Sequence, residues 1–60
     1  MSYAEAKQIA VLRMELRACW ERRDLAGAWA ALAGLRQVAG NDNEIEHEVE
    51  RWTCKLAFAA

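Results

Sequence analysis

Apolar residues recur with helical spacing in three segments of this 60-residue chain, and two short polar breaks separate them. The first segment covers about residues 2–22. At about 100° per residue, Ile9, Leu12, Leu16, Cys19 and Trp20 fall on one stripe. Ser2 with Glu5 three positions later predicts a capping box, which satisfies two free backbone donors at the helix start. Arg17, Arg22 and Arg23 come at the other end, where the helix dipole favours cations. Tyr3, Val11 and Met14 fall off the stripe and are left for the surface or for a second contact.

Asp24 breaks the pattern and is placed to cap a second helix over residues 25–39. The connection is short enough to fold the chain back as a helical hairpin. In this helix only Arg36 is charged. Leu25, Trp29, Leu32 and Leu35 form a bulky side, while Gly27, Ala31 and Gly34 form a small-residue side roughly opposite. Glycine within a helix costs about 1 kcal/mol relative to alanine, so two of them imply close approach of another backbone. An apolar surface on every side predicts a central, fully buried helix.

Gly40 suits a left-handed position after the second helix, and Asp42 or Asn43 can cap the third, over residues 43–58. Glu44, Glu46, Glu48 and Glu50 load its first half with negative charge. Ile45, Val49, Trp52, Leu56 and Ala59 recur at spacings of 4, 3, 4 and 3, a seam that packs along another helix. Phe58 lies off this seam, near His47 and Cys54 on the helical wheel. Each helix thus places one tryptophan on its bulky stripe, where core packing is the expected role.

Composition narrows the class. Hydrophobic types make up 55% of the chain and proline is absent, which excludes a disordered linker and a turn-rich β protein. Net charge is −1, yet residues 1–40 hold six basic and four acidic groups, and residues 41–60 two basic and five acidic. No global field therefore draws the chain to nucleic acid or an anionic membrane. The longest uncharged stretch, residues 25–35, is shorter than a membrane span, and the first residues do not resemble a signal peptide. Cys19 and Cys54 read as two buried thiols in a reducing cytoplasm.

Chemistry-bearing patterns are sparse. His47 and Cys54 share a face but stand about 10 Å apart along the axis, so they cannot hold one metal ion between them. No set of nucleophile, base and orienting residue exists, so neither catalysis nor a cofactor is expected. Arg13, Arg17, Arg22 and Arg23, with Lys7, offer a candidate nucleic-acid patch. The competing reading pairs these arginines with Glu15, Glu21 or the acidic third helix.

The run from Arg22 to Leu35, RRDLAGAWAALAGL, resembles the turn and second helix of a tetratricopeptide-type hairpin. That family often reads Gly-Asp-Leu before a small-residue-rich helix. Arg23 stands here where the family keeps its turn glycine, and Leu16 where it keeps a small residue at the helix crossing. The resemblance implies hairpin geometry and nothing about function.

The expected fold is all-α: a helical hairpin plus a third helix in a small bundle that forms a homodimer. Gly27, Ala31 and Gly34, with Val49, Trp52 and Leu56, make the candidate interface. A two-fold contact would set the basic first helix against the acidic third helix of a partner. The expected function is a non-enzymatic, cytoplasmic interaction module or regulator, of bacterial or phage type. A helical nucleic-acid-binding regulator and an inhibitor or chaperone of a larger host protein are the alternatives.

Overall fold

The computed structural model describes residues 2–59. Among these residues there are three α-helices and no strand: α1 (Tyr3–Glu21), α2 (Leu25–Ala39) and α3 (Asn43–Ala59). Ser2 and Arg22 turn out to cap α1 from outside, and α3 runs one residue further than its pattern implies.

Short polar side chains start each helix. Ser2 is extended, and its hydroxyl accepts the Glu5 N–H at 3.2 Å. The box closes differently from the sequence expectation, because the Glu5 carboxylate accepts from the Ser2 hydroxyl rather than from a backbone donor. Asp24 accepts the Gly27 N–H at 3.0 Å. Asp42, not Asn43, caps α3, taking the N–H groups of Glu44 and Ile45 at 3.0 and 3.3 Å. Each such cap is worth about 1 kcal/mol.

Among the described residues two have positive φ, one in each turn. Gly40 sits at φ 61° and ψ −115°, a region open essentially to glycine alone. Arg23 also sits at φ 61°, which costs a residue with a Cβ about 1–2 kcal/mol. The α1–α2 turn therefore demands left-handed backbone at the position where the resembled hairpins keep glycine.

Helix α2 packs on both of its neighbours, whereas α1 and α3 meet through long side chains. Ile9, Leu16 and Cys19 of α1 reach the core, as do Ile45, Val49 and Leu56 of α3. Between them stand Ala28, Ala31, Leu32 and Leu35 of α2. Leu16, Leu35 and Leu56, one from each helix, are fully buried and mark its centre.

The small-residue side of α2 faces α1 of the same chain. A Cβ on Gly34 would lie 3.2 Å from Leu12 Cδ2, and one on Gly27 would lie 2.9 Å from Cys19 Sγ and nearer still to the Asp24 carboxylate. The glycines do permit a close approach, but within the hairpin rather than toward a second chain.

Helix α2 is central without being buried all round. Its two contacts lie roughly 120° apart around its axis, so an arc of the helix stays open. Ala26, Trp29, Ala30 and Ala33 occupy that arc. Trp29, expected in the bulky core stripe, is 40% exposed, and the smaller Ala28 is buried instead. An indole is too large for the tight α1 side, and Leu25 and Leu32 serve the other side. The thiols also differ from expectation: both are free, but only Cys19 is buried, and Cys54 lies on the outer side of α3.

Thermal or urea unfolding separates the two helical glycines. Gly34→Ala should be neutral or stabilise by up to about 1 kcal/mol, because the Leu12 methyl it meets can move aside. Gly27→Ala should destabilise despite the same gain in helix propensity, since it strikes the capping carboxylate and a buried sulfur. Equal effects at both positions would contradict the packing described here. Leu35→Ala should cost about 2–5 kcal/mol, most of the stability available to so small a core.

Candidate functional site

The residues expected to form an interface lie mostly within the bundle rather than on one open surface. Gly27, Ala31 and Gly34 are turned toward α1. Val49 and Leu56 are buried in the core, and Trp52 is half-buried with its ring edge-to-face against Trp20, centroids 6.0 Å apart. This set lies largely on the inner surface of the bundle, with Gly27, Gly34 and Trp52 only partly covered.

The four candidate arginines do not form one patch. Arg13 donates to both oxygens of Glu48, at 3.0 Å from Nε and 2.8 Å from Nη2. This fork ties α1 to α3, so part of the complementary charge expected between two subunits is satisfied inside one. Arg22 lies roughly 140–180° around α1 from Arg13 and Arg17, on the far side of the helix. Its guanidinium reaches Asp24 at 3.9 Å and Cys19 Sγ at 3.5 Å. Arg17 has no ion-pair partner among the described residues. Arg23 lies over the Trp20 ring, 4.4 Å from its centroid.

The up-down-up course gathers charge that is scattered along the chain. The end of α1, the start of α2 and the end of α3 come together at one end of the bundle. Residues 16–32 and 51–59, which build that half, carry five basic and two acidic side chains. The opposite half, residues 2–15 and 33–50, carries three basic and seven acidic ones. A chain of net charge −1 thus folds into a body with a basic end and an acidic end.

The basic end is also the aromatic end. Lys55 Nζ lies 4.8 Å from the Trp52 ring centre and 5.4 Å from that of Trp20. With Arg23 this makes a layered cluster of two cations and two indoles joining α1, the first turn and α3. Beside it opens a groove of about 670 Å³ lined by Trp20, Arg23, Leu25, Lys55, Phe58 and Ala59. Phe58 is 92% exposed at its wall. Helical periodicity alone does not bring this cluster together, although the chain carries a signal of it: Trp20-x-x-Arg23 and Trp52-x-x-Lys55 place a cation three residues after a tryptophan in two segments. Only the fold shows that the two signals meet.

Among the described residues, no three His, Cys, Asp or Glu side chains stand close enough to hold a metal ion. His47 is exposed, with Nδ1 3.8 Å from Glu50 on the same helix. No helix among the described residues is long and apolar enough to cross a membrane. No protein-family model matches the chain, and no curated protein or solved structure is significantly similar to it.

A double-mutant cycle on Arg13→Ala and Glu48→Ala measures the α1–α3 fork. Arg13 is 48% exposed, so solvent screens the pair and the coupling should be about 0.5–1 kcal/mol, falling as salt rises. A coupling near zero at low salt would mean that α3 is placed by its apolar seam alone.

Proposed function

We propose that this protein is a small, non-enzymatic interaction module or regulator of the cytoplasm, which acts by presenting helical surface to another protein and pairs first with a copy of itself. The observation that carries this reading is the outer face of α1. Tyr3 is 83% exposed and Met14 69%, and Val11 is exposed on the same face. Beside this face a groove lined by Leu12, Ala18, Ala30 and Ala31, together with Glu15, Cys19, Arg22 and Gly27, runs between α1 and α2. Large apolar side chains grouped on one helix face mark contact surface more often than isolated ones do.

The surface differs from the one first expected, since the small-residue face of α2 is covered by α1. The outer face of α1 takes over that role. Inhibition or chaperoning of a larger protein would use the same face. The nucleic-acid alternative loses support from the separation of the arginines, and most of all from the fork that neutralises Arg13.

Light scattering at micromolar concentration should give twice the chain mass. Val11→Glu combined with Met14→Glu should convert the protein to a monomer while leaving its helical circular dichroism intact. A folded monomer at all accessible concentrations overturns the pairing, and a double variant that still assembles moves the contact away from α1.

A further inference from the structure

We infer that the groove at the basic end receives a short acidic segment of another protein that carries a bulky apolar side chain. The inference rests on the chain being an interaction module, but not on its pairing with itself.

Five observations bear on it. Arg23 and Lys55 have no carboxylate partner among the described residues. Their charged heads lie against Trp20 and Trp52, so an arriving carboxylate meets cations already ordered, and binding forfeits less side-chain freedom. The surrounding half-molecule carries five basic groups against two acidic ones, which attracts an acidic segment and repels a basic one. Leu25 and the almost fully exposed Phe58 supply apolar wall directly beside those cations, which suits an apolar side chain next to a carboxylate.

The fifth observation is the backbone of Arg23. Its φ of 61° is a conformation that glycine adopts without strain. The chain instead keeps an arginine there, aimed at Trp20. Strain that persists where a simpler residue would relieve it points to a use for the side chain. Acidic peptide is favoured over single-stranded nucleic acid because Arg23 and Lys55 already lie over the Trp20 ring, leaving Phe58 as the free aromatic face.

Fluorescence anisotropy on the full chain tests this with three labelled probes. One is a twelve-residue peptide alternating glutamate pairs with leucine and phenylalanine. The second has lysine at each glutamate, and the third is a twelve-nucleotide oligothymidine. The acidic peptide should bind at least about tenfold more tightly than the basic one, and less tightly as salt rises. Arg23→Gly and Lys55→Glu should each weaken it about tenfold. Arg23→Gly should leave the melting temperature unchanged or raise it, which a merely structural arginine would not do.

Equal binding of the two peptides overturns the proposal, as does undiminished binding by Lys55→Glu. Arg23→Gly that lowers the melting temperature and leaves binding intact also overturns it, by assigning the arginine to the turn. Tighter binding of oligothymidine than of acidic peptide reassigns the basic end to single strands. Light scattering on the same samples keeps the two readings apart. An assembling protein that ignores the peptide loses only the groove, and a monomer that binds it loses only self-pairing.

Discussion

The close packing of α1 on α2, tightest at Gly27, sets the spacing of the hairpin, and the remaining architecture follows from that spacing. At Gly34 the Leu12 methyls fill the space a Cβ would take, and at Gly27 the Cys19 sulfur does so. The hairpin closes tightly enough for Ala28 and Ala31 to be buried between neighbours. Because small residues suffice on the α1 side, the leucines of α2 are free to meet α3. Gly27 has a further constraint, for its N–H caps on Asp24 while its missing Cβ leaves room for that same carboxylate. Helix start, turn and helix contact thus converge on a single residue.

What the sequence makes legible is set by range. Local chemistry is read directly: Ser2 and Asp24 cap where they should, Gly40 takes its positive φ, and the three stripes yield Leu16, Leu35 and Leu56 as the buried centre. Relations between helices are not read directly. The glycines signalled that some backbone comes close, but a wheel cannot say whether that backbone belongs to α1 or to another chain. Trp29 was misplaced for a related reason. Hydrophobicity put it with the leucines, whereas volume and a third helix on one side only put it at the rim. The Trp20 and Trp52 cluster is not legible in the sequence because its halves lie 32 residues apart and join only through topology.

Charge shows the same dependence on topology. Along the chain the acidic and basic groups form blocks that suggest two oppositely charged helices. In the fold, Arg13 and Glu48 join those helices, and the residual charge separates by bundle end. Two helix C-termini at the basic end suit the cations gathered there, and Asp24 suits the α2 N-terminus between them. The two faces proposed for contact are therefore of different kinds. The outer side of α1 sets Tyr3, Val11 and Met14 among exposed charges such as Lys7 and Glu21, and the end groove joins cations to aromatic rings.

Helix α2 is the sequence neighbour of both helices it touches, and this order has a kinetic consequence. Every backbone contact closes only one turn, so little chain entropy is lost before packing begins to reward it. Architectures dominated by such near contacts reach their fold in microseconds to milliseconds. Helix α3 joins a hairpin in which α1 and α2 already make the more extensive helix contact. Its departure would uncover Leu32 and Leu35 while leaving α1 and α2 paired. Helix α3 is thus the natural unit of partial unfolding, and its opening and closing sets how often the interior meets water.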